Sequence, residues 1–557
     1  MRKKFLLIML VLLLTQSTSH AANDSQALAI CSNGKFQGII SGDILIWKGI
    51  PYAKQPVGSL RWKAPEAPDS SSEVYEAFEF ASTPLQIQMY QFSAPHDEDC
   101  LALNVWNNKA SDSLKPVMVW IHGGQFAYDG TADPQYDGLK FIQAHDDVIL
   151  VSVGYRLGIM GFIDFANSGL EGCEDFPDSA NLGLLDTLQA VKWIHENIKS
   201  FGGDPDNVTL FGESAGGALI ELLMSMPESK GLFKRAITES SSLSMTFTVD
   251  HAKELTQYLV QVTGADSMEK LMSLSSSDLQ AAIDTLAMNY VEFNFPERDG
   301  RYIALNPYEA FAENGSEFDL LTGTNADEIN IMYLQGQERG SAIIQNMFDN
   351  TVNAIANINS DDALIAQEFM NDYIANHEGA AQTQARDSFV THYQFRGPML
   401  LAAEFHKGNK YVYNFEYPVI SGLGAYHTSE IAYVLNDNRN PSYNQALADK
   451  IQAMWINFAK TGSPSLESDS LIWPQYDLET QAVMRLKESP EASIALLSDQ
   501  YNIIRPMLSY GFSGRDIIEG LNLHEQPGFD SSSSRGCSSG FMLSSAVLVL
   551  AFVKRRL

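Results

Sequence analysis

The stretch Gly212-Glu213-Ser214-Ala215-Gly216-Gly217 determines how the rest of the chain is interpreted. It follows a short strand-like run at 208–211 and precedes an apolar run that begins at Ala218. This order predicts a strand, a tight turn and a helix, with Ser214 at the tip of a Gly-x-Ser-x-Gly elbow. The N-terminus of that helix would face whatever the serine attacks. Because the short pattern also occurs by chance, the partners of the serine must show whether it is a nucleophile.

The size and charge of the chain limit its function. It has 557 residues and a formal net charge of −31. That length exceeds the usual single domain but suits a large α/β enzyme with insertions. So acidic a chain lacks the basic footprint of nucleic-acid binding and disfavours an anionic membrane face. We expect no nucleic-acid partner and an acid-rich surface that keeps an exported enzyme soluble.

The first residues have the features of an export signal. Three basic residues at 2–4 precede an apolar run at 5–14, and Ser19 and Ala21 are small residues at the positions that a signal peptidase reads. About ten apolar residues are too few to span a membrane. We therefore expect residues 1–21 to be a signal peptide.

The C-terminal end has an unusual composition. Serines at 531–534 and Cys537 lead into a mostly apolar segment at 541–553, which ends in basic residues. This arrangement resembles the C-terminal sorting tails of Gram-negative bacterial surface proteins; the alternative is a weak membrane anchor. We expect a linker at 511–536, a sorting tail or anchor at 537–557, and a secreted or cell-envelope protein.

The chain between these ends, residues 22–510, is interpreted as one catalytic domain. Central strands are predicted at 117–121, 148–153, 208–211, 235–238, 320–323 and 411–415. A helix is predicted over 181–200, and strands that alternate with helices predict a mostly parallel, doubly wound α/β sheet. Mostly helical insertions at about 243–310 and 330–400 are expected to form a cap over the active site.

Several motifs follow one another in a fixed order along the chain. They are Trp47-Lys48-Gly49-Ile50-Pro51-Tyr52-Ala53, Glu98-Asp99-Cys100-Leu101, His122-Gly123-Gly124-Gln125-Phe126, the serine elbow, and Asn457-Phe458-Ala459-Lys460-Thr461-Gly462. From about Trp47 to Tyr476 the chain resembles the type-B carboxylesterase family, which includes cholinesterases. The resemblance implies an α/β-hydrolase fold and hydrolysis of carboxylic esters.

The serine needs a base to take its proton, and an acid must hold that base in one tautomer. In α/β-hydrolases these follow the serine in the order acid, then histidine. By resemblance the acid is Glu328, at the end of a predicted strand; Asp327 is the competing candidate, whose other role would be to cap the next helix. His427, one of nine histidines outside the two chain ends, falls where the family has its catalytic histidine.

The tetrahedral oxyanion needs hydrogen-bond donors, and losing one typically costs about 3–4 kcal/mol. Ala215 offers its N–H at the start of the helix. The other donors are expected from Gly124 and Gln125, with Gly123 as the fallback. The commonest family pattern has a third glycine where Gln125 stands. The backbone N–H survives that change, but the side chain would narrow the acyl side of the pocket or alter the conformation of the loop.

Substrate contacts are predicted in less detail. Phe126 and Tyr128 are expected to line the pocket, and His122 to shape the oxyanion loop. The expected substrate is a small-molecule or lipid ester, and no cofactor is implied. No cysteine–histidine cluster has metal-binding spacing, so no structural metal is expected. The alternatives are a non-catalytic cholinesterase-like binding or adhesion module, which would lack the triad, and a serine peptidase.

Two structural features follow from the residues and the resemblance. By resemblance, Arg61 pairs with Glu98, and Arg156 with Asp186, in two buried ion pairs. The three cysteines outside the tail are Cys31, Cys100 and Cys173. In an exported protein we expect one disulfide among them, with the pair left open. The usual family bridge to Cys100 cannot form, because residues 66–99 contain no other cysteine.

Overall fold

The structure is a computed structural model that describes residues 27–87, 94–109, 113–289, 295–440, 442–521 and 523. The predicted signal peptide at 1–21 and the predicted tail at 537–557 lie outside these residues. None of the helices within the described ranges is both long and apolar enough to cross a membrane.

The described residues form fourteen β-strands. They are β1 (Leu28–Cys31), β2 (Gly34–Gln37), β3 (Ile39–Ser41), β4 (Ile44–Pro51), β5 (Val74–Glu76), β6 (Ala102–Asn108), β7 (Lys115–Ile121), β8 (Ile149–Val153), β9 (Gly203–Glu213), β10 (Arg235–Glu239), β11 (Asp319–Asn325), β12 (Lys410–Phe415), β13 (Val483–Leu486) and β14 (Glu491–Ser493).

Eleven of these strands form one central sheet in the order β14-β13-β12-β11-β10-β9-β7-β8-β6-β4-β3. The seven strands from β13 to β8 in this order pair in parallel, and the strands at both edges pair antiparallel. Every residue of β8 and β10 is buried, as expected for parallel strands covered on both faces. The predicted mostly parallel α/β sheet is confirmed, and β1, β2 and β5 add a small separate sheet.

The described residues also form fifteen α-helices. They are α1 (Leu139–Ala144), α2 (Gly158–Gly161), α3 (Leu182–Asn197), α4 (Ala215–Ser225), α5 (Val249–Thr263), α6 (Met268–Ser273), α7 (Ser276–Asn289), α8 (Pro307–Asn314), α9 (Gln337–Ile358), α10 (Ser360–Asn376), α11 (Gln382–Thr391), α12 (Gly397–Phe405), α13 (Ile431–Val434), α14 (Gln445–Thr461) and α15 (Ser498–Ile504). A π-helical turn at His392–Arg396 joins α11 to α12.

The strand order brings the expected functional segments to one edge of the sheet. Strands β7, β9, β11 and β12 are parallel members of the same sheet, so their carboxyl ends lie together. The loops after these four strands carry His122, Ser214, Glu328 and His427, respectively. The chain between β10 and β11, and between β11 and β12, is mainly helical.

The expected disulfide is wrong, because Cys31, Cys100 and Cys173 are all free. They belong to different parts of the fold: Cys31 ends β1 of the small sheet, Cys100 precedes β6, and Cys173 begins a 3-10 turn. Burial raises the pKa of the Cys100 thiol well above its usual value, so this thiol stays protonated.

Candidate active site

Ser214 occupies a strained turn between β9 and α4. Its φ is 54° and its ψ is −122°, a conformation that side-chain-bearing residues rarely adopt. Glycines flank it for steric reasons: a Cβ on Gly212 or Gly216 would lie 2.5 or 2.0 Å from the carbonyl oxygen of Ile121. The Ser214 N–H donates to the Glu239 carbonyl at 2.8 Å, which ties the turn to β10. The predicted elbow is therefore present.

Glu328 lies just beyond β11, at the start of the 3-10 helix Glu328–Gln335, and both of its oxygens are hydrogen-bonded. Oε1 accepts from the Asn325 N–H and the Ser240 hydroxyl, each at 2.7 Å. Oε2 lies 2.7 Å from Nδ1 of His427. With the carboxylate fully buried, these contacts fix one rotamer and direct one oxygen at the imidazole.

Asp327, the competing candidate for the acid, bonds Ala425 in the loop before His427 rather than the imidazole. Its Oδ2 accepts the Ala425 N–H at 3.0 Å, and its own N–H donates to the Ala425 carbonyl at 2.9 Å. It makes no side-chain cap hydrogen bond to the helix that follows, so the expected capping role is wrong. Asp327 therefore holds the loop that precedes His427, while the neighbouring Glu328 contacts the imidazole.

The imidazole of His427 lies between two carboxylates. Nδ1 bonds Glu328, whereas Nε2 lies 3.2 Å from Oε1 of Glu213 without the alignment of a hydrogen bond. A Cβ on Gly123 would lie 2.9 Å from Oε2 of Glu213 and 3.3 Å from Cβ of Ser214, so the serine and this carboxylate adjoin the same glycine. The described residues show no hydrogen bond between Ser214 and His427, and such contacts are often looser without substrate.

The two carboxylates set the protonation of the imidazole. Burial alone lowers the pKa of His427, but the charges of Glu213 and Glu328 and the hydrogen bond to Glu328 outweigh it and raise the pKa to about 9. Burial has the opposite effect on Glu213: it raises the pKa of this carboxyl well above its usual value, although the charge of His427 acts to lower it. The two groups thus compete for a proton. When Glu213 holds that proton, His427 is neutral and able to act as a base.

Two further buried glutamates surround this pair. Glu430 lies 3.3 Å from the Ser240 hydroxyl, and burial together with the charge of Glu328 raises its pKa to about 7. Glu239 accepts from the indole N–H of Trp455 at 2.9 Å, and burial raises its pKa well above the usual value. The candidate site is therefore a buried cluster of carboxyl groups around one imidazole.

Sequence reasoning missed Glu213, Ser240, Glu239 and Glu430 as members of the site. Three of them had positional signals: Glu213 is the variable residue before the serine, Ser240 follows the strand next to the elbow strand, and Glu430 is one turn beyond His427. Burial could not be inferred from those positions, because glutamates and serines are mostly exposed in folded proteins.

The oxyanion loop follows β7, next to the elbow. Gly124, Gln125 and Phe126 all have positive φ angles, of 95°, 52° and 57°. A Cβ on Gly124 would lie 2.0 Å from the Tyr128 carbonyl oxygen, so only glycine fits there. Across the described part of the chain, the N–H groups of Gly124, Gln125 and Ala215 donate to no protein acceptor.

His122 and Tyr128 stabilise this loop. The His122 ring stacks on Tyr155 with centroids 4.5 Å apart, and the Tyr155 hydroxyl donates to the His122 carbonyl at 2.8 Å. The Tyr128 N–H donates to the Gly124 carbonyl at 3.1 Å. Tyr128 is buried, so its backbone closes the turn that carries the candidate donors.

Phenylalanines extend from this loop towards the histidine. Phe126 is fully buried, with ring centroids 5.2 Å from Phe162 and 5.5 Å from Phe295. On the other side, Phe395 in the π-helical turn lies 4.6 Å from the His427 ring. The surroundings of the candidate site are therefore strongly apolar apart from the carboxyl cluster.

Both expected ion pairs are confirmed. Arg61 contacts Glu98 through two hydrogen bonds of 2.6 Å, and Arg156 contacts Asp186 at 2.7 and 2.6 Å. Arg61 also donates to the carbonyl of Leu274 at 2.7 Å, which ties the N-terminal region to the helices after β10. The four charged groups are almost completely buried, so loss of one partner would leave a stranded charge.

Comparison with known proteins identifies the family of the chain. The carboxylesterase family model matches residues 25–504, which is most of the sequence. The chain belongs to the carboxylesterase family. This carboxylesterase is similar to para-nitrobenzyl esterase of Bacillus subtilis (strain 168), with 34% identity over 477 residues that cover 81% of this chain and 93% of that protein. It is also similar to cholinesterase of Mus musculus, with 30% identity over 536 residues and 86% coverage of both.

Solved structures of carboxylesterases are also similar to this chain. A Geobacillus stearothermophilus carboxylesterase at pH 6.2 superimposes with a TM-score of 0.76 at 29% identity, covering 86% of this chain and 99% of that one. A structure of PNB esterase gives a TM-score of 0.73 at 32% identity with the same coverage. The α/β-hydrolase fold expected from the motifs is confirmed, and the chain is a serine carboxylesterase.

Proposed function

We propose that Ser214, His427 and Glu328 form the catalytic triad of this carboxylesterase. His427 Nε2 takes the hydroxyl proton as Ser214 Oγ bonds to the ester carbonyl carbon. Glu328 holds Nδ1 protonated and stabilises the imidazolium that results. The observation that carries the proposal is the 2.7 Å contact between Glu328 and His427 on a loop beside the strained serine.

The reaction then proceeds in two halves. Collapse of the tetrahedral intermediate breaks the bond to the alcohol oxygen, which leaves with the proton from His427, and Ser214 keeps the acyl group. Water attacks this acyl-enzyme, His427 takes a proton from the water, and the carboxylic acid is released as the proton returns to Ser214 Oγ. We assign the oxyanion hole to the N–H groups of Gly124, Gln125 and Ala215, whose lack of protein acceptors supports that role.

We propose an uncharged, apolar ester as the substrate. The phenylalanines beside Phe126 and His427 favour apolar groups, and the buried carboxyl cluster disfavours anionic ones. Phe126 itself packs within this wall, whereas Tyr128 contributes to the pocket through the shape of its loop. The substrate class thus lies among small-molecule or lipid esters, and a chain-length series of p-nitrophenyl esters measures the preference.

The experiment that tests the mechanism is rapid-mixing hydrolysis of p-nitrophenyl butyrate. If an acyl-enzyme forms and deacylation is slower than acylation, p-nitrophenol should be released in an initial burst of at most one equivalent per chain. Ser214→Ala should lower kcat on the order of 10⁶-fold. Full activity in a folded Ser214→Ala variant would contradict the proposal. The non-catalytic alternative is not favoured, because the similar proteins are esterases.

We further propose that the enzyme is exported by a Gram-negative bacterium and is either secreted or held at the cell envelope. The basic and apolar segments at 1–21 support a cleaved signal, and the segment at 537–557 supports a sorting tail or anchor. The catalytic domain at 22–510 is joined to that tail through residues 511–536, of which the described part at 511–521 packs on the domain, for instance through Asp516. Intact mass of the cell-associated protein should correspond to a chain that begins at residue 22. A chain that retains residues 1–21 in the cytoplasm would contradict export.

A further inference from the structure

Residues 505–521, here named the C-terminal strap, directly follow the part of the chain that the family model matches. The strap begins as a 3-10 helix at Arg505–Tyr510 and continues as a loop that the Ile518 N–H closes onto the Ser509 carbonyl at 2.9 Å. Gly511 has a φ of 65°, and a Cβ there would lie 2.9 Å from a carbonyl oxygen within the same loop. The strap therefore has a defined, tightly turned path.

Several buried contacts hold the strap against the helices that follow β10 and β11. The Asp516 carboxylate bonds His251 Nδ1 and the Thr248 hydroxyl, each at 2.9 Å. The Tyr393 hydroxyl donates to the Gly511 carbonyl at 2.7 Å. Burial alone raises the pKa of Asp516, but the hydrogen bond and charge of His251 outweigh it and lower the pKa. Asp516 thus stays ionised at neutral pH and anchors the loop.

These anchors place Phe512 between the two sides of the candidate active site. The Phe512 ring centroid is 5.5 Å from Phe295, which itself packs on Phe126 of the oxyanion loop. It is also 6.3 Å from Phe395, whose ring lies against His427. Phe512 is therefore the link that completes a row of rings from the oxyanion loop to the histidine.

We propose that Phe512 is a specificity-determining residue, which the C-terminal strap supplies to the wall of the ester pocket. The inference rests on the proposed function of Ser214, because a pocket wall matters only if the ester reacts there. Phe512 and Phe295 are only half-buried, whereas Phe126 and Phe395 are packed in the core. The half-buried rings thus retain surface that a substrate chain can contact.

The physical consequence is a limit on the size of the ester. A ring that bridges the two sides of the pocket contacts short chains favourably but occupies the volume that longer chains need. Removing it should favour long esters selectively, and enlarging it should disfavour them. One methylene in a hydrophobic pocket changes the rate about tenfold or more.

The test compares kcat/KM for p-nitrophenyl octanoate and butyrate in Phe512→Ala, Phe512→Trp and the wild type. The octanoate-to-butyrate ratio should rise at least about tenfold in Phe512→Ala and fall in Phe512→Trp. Asp516→Ala, which removes the anchor to His251 and Thr248, should raise the ratio in the same direction. Phe80→Ala is the matched control, because Phe80 is a half-buried ring that packs on Trp106 and Lys48.

The possible results distinguish a failure of the Phe512 proposal from a failure of the proposed Ser214 mechanism. Wild-type butyrate activity that Ser214→Ala abolishes would establish the mechanism independently. If that activity is present and the ratio is the same in the wild type and both Phe512 variants, Phe512 does not determine specificity. A ratio that changes equally in Phe80→Ala would also overturn the inference. Should Phe512→Ala fail to fold, Phe512→Trp and Asp516→Ala carry the same comparison.

Discussion

The carboxylate of Glu213 lies 3.2 Å from Nε2 of His427, the nitrogen that faces away from Glu328. The residue before the proposed nucleophile therefore acts on His427, the proposed base. A charged Glu213 favours the imidazolium and opposes base catalysis, whereas a protonated Glu213 leaves His427 neutral. Under the proposed mechanism, the burial that raises the pKa of Glu213 favours the neutral form of His427, which is the form that can act as a base.

Glu213→Gln removes this competing charge, so the pKa of His427 should fall. Because only neutral His427 is a base, the acidic limb of the kcat/KM profile should move to lower pH by about one unit. The measurement is a pH profile with p-nitrophenyl butyrate. Glu221→Gln is the matched control, since Glu221 is also buried but bonds Ser241. An unmoved limb in Glu213→Gln would show that Glu213 is already uncharged in the free enzyme.

Substitutions of the adjacent acids Glu328 and Asp327 should have different effects on kcat. Glu328→Gln keeps the shape but loses control of the His427 tautomer, so kcat should fall about 10³–10⁴-fold. Asp327→Asn keeps an oxygen that accepts the Ala425 N–H, so kcat should change by less than about tenfold. Steady-state kinetics on both variants decides between them. The reverse ranking would assign the acid to Asp327.

Gln125 is the departure from the family glycine, and its left-handed φ of 52° carries strain. Gln125→Ala removes the side chain but keeps this strain, whereas Gln125→Gly removes both. The glycine variant should exceed the alanine variant in unfolding free energy by about 1 kcal/mol, measured by urea denaturation. Both should accept branched acyl esters better than the wild type does. No gain in either variant would mean that the Gln125 side chain lies outside the acyl pocket.

The buried Glu221 should also make the free energy of unfolding depend on pH. Burial raises the pKa of Glu221 from 4.5 to about 7, so between these values the folded state binds the extra proton. The contribution of Glu221 to the free energy of unfolding is complete below pH 4.5 and is lost as the pH rises to about 7. Within this window the free energy of unfolding falls with a limiting slope of about 1.4 kcal/mol per pH unit. Glu221→Gln should flatten the fall of unfolding free energy across this window. Parallel curves for variant and wild type would contradict the assignment.

The sequence predicted the central sheet and Ser214 through local patterns, whereas Glu328 and His427 of the proposed triad were singled out by the resemblance of their motifs to those of the family. Ser214 lies between glycines after a strand, and Glu328 and His427 follow later strands in the required order. Glu213 and Glu430 escaped notice because glutamates are usually exposed, whereas these two are buried beside residues that are distant in the chain. Phe512 could not be placed either, since it lies far along the chain from Phe295 and Phe395, on which its ring packs. The wrong disulfide came from counting cysteines without knowing that they lie in separate parts of the fold.

The most direct test of the central claim is labelling with a fluorophosphonate, followed by intact mass and peptide mapping. This reagent reacts with a serine that an adjacent base activates. We predict one adduct per chain on Ser214, none in Ser214→Ala, and much slower labelling in His427→Ala. A folded wild-type enzyme that hydrolyses p-nitrophenyl butyrate yet carries no adduct on Ser214 would contradict the account.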